Sequence, residues 1–262
     1  MQIIKPNATE LIQTDVFKHI EICGRTCYKS EDKITEDSCY NFVSMLRDRN
    51  HGAMLEHGTV YLIIPECAGT NYEIFRLFQE NNYTKIIQLF SPNDGPKAYI
   101  TTNYRVIVEN DLENIMNQFQ SECTEHHYKR RTFKITCNRG VSHEFVRHRV
   151  FSFAQESQRY VNYSKDKFGS EIRVIDPVYF SKESQEYSTW YNDCLNAESS
   201  YMTLLMMGAS PQQAREVLPN ATATELIMTG FESDWKHFFD LRCAKDAHPQ
   251  AQEVANIIKE QF

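Results

Sequence analysis

Residues 143 to 160 read HEFVRHRVFSFAQESQRY and hold Arg147, His148, Arg149, Ser152, Gln155, Glu156, Ser157 and Arg159 within thirteen positions. Three arginines and a histidine set so closely repel one another unless an anion neutralises them. Gln155 and Ser157 are neutral groups of the kind that hydrogen-bond a nucleobase or a sugar. The chemistry this combination suits is nucleotide binding. On a helix, Arg147, His148 and Arg149 would point about 100° apart, so they would serve different phosphates or different ligands. The bland alternative for any three-residue basic cluster is a solvated basic turn; the neighbouring residues favour a cradle.

Composition narrows what else the chain does. Of its 262 residues 41% are hydrophobic and 24% charged, which is the make-up of a folded globule. The formal charge of -7 argues against coating a nucleic acid polymer, because polyanion binding rests on a basic surface. A basic-turn RNA-binding module is disfavoured on the same ground. No two of the nine glycines lie closer than Gly52 and Gly58, so neither G-x-G-x-x-G nor G-x-x-x-x-G-K-[ST] occurs. Phosphates must therefore be met by arginine side chains, helped by helix N-termini. The eight cysteines (23, 27, 39, 67, 123, 137, 194, 243) include no C-x-x-C pair. We expect reduced, mostly buried thiols, no metal site, no membrane span and a cytoplasmic protein.

The elements that must position these groups are read from periodicity. Cys39, Phe42, Val43 and Leu46 recur at helical spacing after Thr35, an expected N-cap, in a helix ending near Asn50. Residues 58–64 and 132–137 read as strands. Residues 73–79 (EIFRLFQ) and 113–120 (ENIMNQFQ) read as helices, while SPNDGP turns into a strand-like AYITTNYRVIV. The pattern turns helical after Gly140. A long helix carries Tyr187, Trp190, Tyr191, Cys194, Tyr201 and Leu205 and stops at Gly208. Ser210-Pro211-Gln212-Gln213 forms a capping box, and Pro219 ends that short helix. Ser233 is expected to cap a helix bearing Trp235, Phe238, Phe239 and Arg242, and a last helix after Pro249 buries Val254, Ile258 and Phe262. The expected fold is α+β: a single domain over 1–262, with a small, mostly antiparallel sheet flanked by long helices.

The 143–160 run resembles the signature of the flavin-dependent thymidylate synthases, R-H-R, seven residues, then serine: Arg147-His148-Arg149, Val150 to Glu156, Ser157, and on to Arg159-Tyr160. Three further segments match the family in order. Residues 50–57 (NHGAMLEH) match both histidines and the glutamate of G-H-x-[ST]-x-x-E-H but lack its leading glycine and its Ser/Thr. Ala214 to Pro219 matches A-R-x-x-L-P. Leu241-Arg242 with Ala247-His248-Pro249-Gln250 resembles L-R-x(n)-A-Q, with an inserted proline. The resemblance covers most of the chain. The stretch from about 66 to 128 is longer than in the family's shortest members.

The resemblance implies synthesis of dTMP from dUMP, with methylenetetrahydrofolate as one-carbon donor and FAD, reduced by NADPH, as hydride carrier. It places His57, Thr59, Arg147, His148, Arg149, Gln155 and His237 at FAD, and Glu144, Arg147, Gln155, Glu156, Ser157, Gln158, Arg159, Arg215 and Arg242 at dUMP. At His57 and His237 a satisfied structural histidine is the plain alternative. Where Glu144 stands the family commonly has glutamine, and a carboxylate there needs an arginine or a proton. Arg242 is the expected catalytic group: on an aromatic stripe its guanidinium requires an anionic partner, and against the uracil carbonyl edge it would stabilise charge growing on the ring. A structural ion pair is the alternative there. No cysteine lies in the Pro-Cys-His setting of the cysteine-dependent thymidylate synthases, so no thiolate nucleophile is expected. The family's homotetramers share each site among subunits, and the same obligate oligomer is expected here. A non-catalytic nucleotide- or flavin-binding regulator is the competing reading, on the departures Ala53, Glu144 and Phe231.

Overall fold

The computed structural model describes residues 1–65, 72–92, 95–165 and 169–262. Strands β1 (Gln2–Ile4) and β2 (Asn7–Glu10) lead into α1 (Val16–Tyr28), α2 (Ser38–Asp48) and the single turn α3 (Gly52–Leu55). Then come β3 (Thr59–Pro65), α4 (Tyr72–Gln79), β4 (Lys85–Ser91), β5 (Gly95–Asn103), α5 (Tyr104–Glu109) and α6 (Glu113–Phe119). The second half runs β6 (Arg130–Asn138), α7 (Arg139–Phe145), β7 (Ser152–Gln155), β8 (Arg173–Ile175), α8 (Gln185–Met206) and α9 (Pro211–Ala214). It closes with β9 (Ala223–Phe231), α10 (Glu232–Arg242) and α11 (Pro249–Lys259).

The fold is α+β, but the expected single sheet is three. The main sheet has the order β2-β6-β9-β7 with every neighbour antiparallel, a second antiparallel sheet is β3-β5-β4, and β1 pairs with β8 in parallel. Each of the two larger sheets has a core of its own. Phe133, Ile135, Leu226, Met228, Trp235, Phe238, Val254 and Ile258 form the one under α10 and α11. Ile20, Phe42, Leu46, Leu62, Phe78 and Ile100 form the other. The 66–128 stretch, as far as it is described, builds α4 to α6 together with the central strand β5 and the edge strand β4 of the second sheet. Among the described residues only α8 is long; every other helix has 13 residues or fewer. No helix among them is long and apolar enough to cross a membrane.

β9 organises the main sheet, and the sequence reading missed it. All nine of its residues are buried, because helices cover both faces. Leu226 and Met228 meet the α10 core, while Ile227 packs with Cys23 of α1 on the other side. A strand buried on both faces shows no period-two alternation, so ATELIMTGF carries no strand signature. Local reasoning also misplaced four other features. The helix expected from Thr35 begins at Ser38, whose hydroxyl instead accepts from the Thr35 N–H. The YRVIV half of the expected strand is helical because Asn103 caps it, accepting from the Val106 N–H. The N-cap of α10 is Phe231, whose N–H donates to Asp234, rather than Ser233. Phe262 lies beyond α11, 48% exposed, stacked on Phe133 with the Arg131 guanidinium 3.9 Å over it. On α8 only Cys194 and Tyr201 of the aromatic stripe are buried. The capping box at Ser210 forms as read. Asn93 and Asp94 of the SPNDGP turn, and Cys67, lie outside the described residues.

Candidate active site

The Arg147-His148-Arg149 triplet follows α7 in a non-helical turn. That geometry separates the three: His148 turns inward and is buried, whereas Arg147 and Arg149 are exposed. Neither guanidinium makes a hydrogen bond or ion pair among the described residues; the Arg147 backbone N–H donates to the Glu144 carbonyl at 3.4 Å. His148 lies against Phe238, with ring centroids 5.0 Å apart, and 6.4 Å from the exposed His237. Its Nε2 accepts from Nε of Arg242 at 2.8 Å. Arg242 also donates through Nη1 to the Glu144 carboxylate at 2.5 Å and through Nη2 to the Glu144 carbonyl at 3.1 Å. The anionic partner that the aromatic stripe demands is thus Glu144, and the carboxylate has its arginine. Of the five guanidinium N–H groups three are engaged, which leaves two. Burial first, then Arg242 and His237, hold the His148 imidazole down to about 4, so it is neutral at neutral pH and offers Arg242 a lone pair.

A second group gathers where β7 ends. Gln155 donates through Nε2 to Ser142 at 2.9 Å and to Thr224 at 3.3 Å. Glu156 is buried, accepts from the Tyr163 hydroxyl at 3.0 Å, and is pushed up chiefly by that burial. The Ser157 N–H is bound to the Cys27 carbonyl. Gln158 is buried, with its side-chain amide towards the Tyr163 hydroxyl, and the exposed Arg159 donates to Gln212 at 3.1 Å. Arg215 is half-buried, with Glu216 a distant 4.0 Å away. Arg139, which sequence reasoning passed over, belongs here. Burial, then the neighbouring Arg215, lowers its guanidinium, against Tyr163 and Glu156. Its signal was an arginine directly behind Asn138, the residue that caps α7 by accepting from the Val141 N–H.

The third group surrounds His57. Its Nδ1 lies 2.8 Å from Thr229 Oγ1, and its Nε2 is buried without a hydrogen-bond partner of good geometry among the described residues. The Thr59 hydroxyl accepts from Arg130 at 3.2 Å, and the same guanidinium donates to the Glu56 carbonyl at 3.1 Å. Burial pushes Arg130 down to about 10. The backbone passes α1 closely here, since a Cβ at Gly58 would lie 2.7 Å from Ile20. No hydrogen bond or ion pair among the described residues links one group of assigned residues to another.

Residues 97–262 match a family model described as thymidylate synthase complementing protein. The chain belongs to that family. The match begins within β5 and takes in the first two residue groups, while His57 and Thr59 of the third lie outside it. Curated relatives named flavin-dependent thymidylate synthase include one from Pyrococcus furiosus, 31% identical over 158 residues, which are 59% of this chain and 64% of that protein. One from Corynebacterium efficiens is 35% identical over 133 residues, 45% of this chain and 51% of that one. One from Geobacter sulfurreducens is 36% identical over 120 residues, 45% and 49% respectively. The matches thus span from about half to just under two thirds of the length of these curated relatives. A solved structure described as the UMP/dUMP methylase PolB from Streptomyces cacaoi bound with 5-Br dUMP aligns with 100% of this chain and 91% of that chain, at 16% identity and a TM-score of 0.47, too distant a likeness to carry function.

Proposed function

We propose that the chain catalyses reductive methylation of dUMP to dTMP, with methylenetetrahydrofolate as one-carbon donor, FAD as hydride carrier and NADPH as reductant. Its working form is a homotetramer whose subunits share each site. The observation that carries this is the contact of Arg242 with His148 and Glu144, which brings the arginine of α10 onto the triplet turn, 94 and 98 positions away in the chain.

The residues present fit a flavin dinucleotide. Arg147 and Arg149 are exposed, with guanidiniums free of partners among the described residues and suited to its phosphates, and the buried His57 Nε2 offers one hydrogen bond beside Thr59. His148, Gln155 and His237 complete that set. The bound flavin supplies the hydride; every other role falls to side chains. Arg215, with Arg159 and Arg147, holds the nucleotide phosphate. Gln155, Ser157, Gln158, Glu144 and the buried Glu156 orient base and sugar. Arg242, fixed by Glu144 and His148, directs its two remaining N–H groups at the uracil carbonyl edge and stabilises the charge that grows as C5 becomes nucleophilic. The thiols suit a reaction without cysteine attack: burial pushes Cys137 up to about 12, and Cys27 and Cys194 up to about 11, so they stay protonated. Incubation with dUMP, methylenetetrahydrofolate, FAD and NADPH, followed by chromatography for dTMP, tests the proposal. A flavin-loaded protein that forms no dTMP would support the non-catalytic binding reading.

A further inference from the structure

Four side chains from separate parts of the chain form one hydrogen-bonded line through the main sheet. Nε2 of His19, on α1, lies 3.1 Å from Thr132 Oγ1 on β6. Thr132 Oγ1 lies 2.8 Å from the hydroxyl of Thr229, its register partner on β9. Thr229 Oγ1 lies 2.8 Å from His57 Nδ1. None of the four is more than 5% exposed. The line ends at His57 Nε2, buried and without a hydrogen-bond partner of good geometry among the described residues, although the Phe153 backbone acts on this ring and favours its charged form.

Proton counting constrains such a line. Its three gaps need one hydrogen each, and the two hydroxyls supply one each. The third must come from His19 Nε2 or His57 Nδ1. Burial and the Arg130 charge hold His19 down to about 4; burial, then His19 and Arg130, hold His57 down to about 3. Both rings are therefore neutral at neutral pH, with a proton on one nitrogen only. If His19 donates, both hydroxyls point towards His57, whose Nδ1 accepts and whose proton sits on Nε2. If His57 donates from Nδ1, both hydroxyls reverse, and His19 keeps its proton on Nδ1.

We propose that His19 is a positioning residue for His57: the threonine line forces the two imidazoles into the same tautomer, both Nε2–H or both Nδ1–H, and so decides whether His57 presents a donor or a lone pair at its free nitrogen. Only the chemical consequence rests on the reading above, in which His57 faces the flavin. A ring group that accepts from or donates to Nε2 then sets the direction of the whole line.

The tautomers are measured directly, by nitrogen NMR shifts of isotope-labelled histidine in the full-length protein at neutral pH, assigned with His19→Gln and His57→Gln. Wild type shows one tautomer, the same for both rings. Thr132→Val, which touches neither ring of His57 nor its bond to Thr229, lets His57 populate both forms, and Thr132→Ser restores one. Opposite tautomers in wild type overturn the proposal, as does a folded Thr132→Val protein whose His57 keeps a single form. If Thr132→Val does not fold, the wild-type comparison decides alone. Flavin retention read on the same samples separates the two ideas: matched tautomers without flavin leave the coupling standing and remove the functional reading, and bound flavin with opposite tautomers does the reverse.

Discussion

Removing the Arg242 guanidinium tests the proposed site at its best-defined contact. The side chain is 19% exposed, fixed on three sides by Glu144 and His148, and keeps two N–H groups for substrate. Loss of one preorganised donor at an oxyanion costs on the order of 10² to 10³ in kcat, or roughly 2.7–4 kcal/mol. Arg242→Ala removes two, so a loss of on the order of a hundredfold is the lower bound. KM for dUMP should change less, because the interaction strengthens in the transition state. Arg242→Lys recovers part of the rate, since an ammonium keeps the charge but loses the planar fork. Arg215→Ala, on the phosphate side, should chiefly raise KM. Steady-state kinetics on the three variants decide the matter: normal kcat with only a raised KM in Arg242→Ala would refute the catalytic role. An NMR titration adds an independent reading. With Arg242 gone the His148 pKa rises from about 4 but stays below the ordinary 6.5, because burial, its main cause, remains.

Arg147→Ala combined with Arg149→Ala should abolish flavin retention, read by absorbance, while changing stability by no more than about 0.5 kcal/mol, since both side chains are exposed and make no ion pair among the described residues. Single replacement of each cysteine by alanine or serine should leave dTMP formation measurable; a folded, flavin-bound cysteine variant with no activity would point to covalent attack instead. At Glu225 burial raises the carboxyl, but Lys29 and Lys134 prevail and hold it below its ordinary 4.5. A depressed carboxylate contributes stability above its unfolded pKa and loses it as pH falls through the folded one. Glu225→Gln should therefore melt lower than wild type at neutral pH, with the difference shrinking below about pH 4.5; a constant gap across that range would exclude the linkage.

Much of the candidate site was legible as a candidate because the residue types that suggest it are local. The 147–159 run lies in one stretch of chain, and Arg242 declared its need for an anion by sitting among Trp235, Phe238 and Phe239. What stayed hidden depends on neighbours distant in sequence. Glu144 is a partner only because α10 returns over the triplet turn, and Arg139 counts only beside Arg215. Thr132 and Thr229 read as ordinary strand threonines until register sets them opposite each other. His57 and His19 look like two unrelated histidines, 38 positions apart. The cap errors at Thr35 and Ser233 share one cause: a Ser or Thr ahead of an apolar stripe suggests a side-chain cap, yet neither helix start, at Asp37 or at Phe231, carries a side-chain cap hydrogen bond.

The burial of β9 on both faces makes its register a calibration of the whole site. Thr224 serves Gln155 on one face, while Glu225 and Thr229 serve Lys29 and His57 on the other. A slip of one residue would exchange the faces, sending Glu225 and Thr229 under α7 and α10 and turning Leu226 and Met228 towards α1. The length of the segment from Leu218 to Thr222 is thus as tightly specified as any side chain in the site. It is pinned where Thr222 donates to the Pro219 carbonyl and where the Arg139 N–H meets the carbonyls of Asn220 and Thr222. Gain or loss of one residue there would disturb all three residue groups at once, whereas the same change in the exposed stretch ahead of α8 would leave each of them in place.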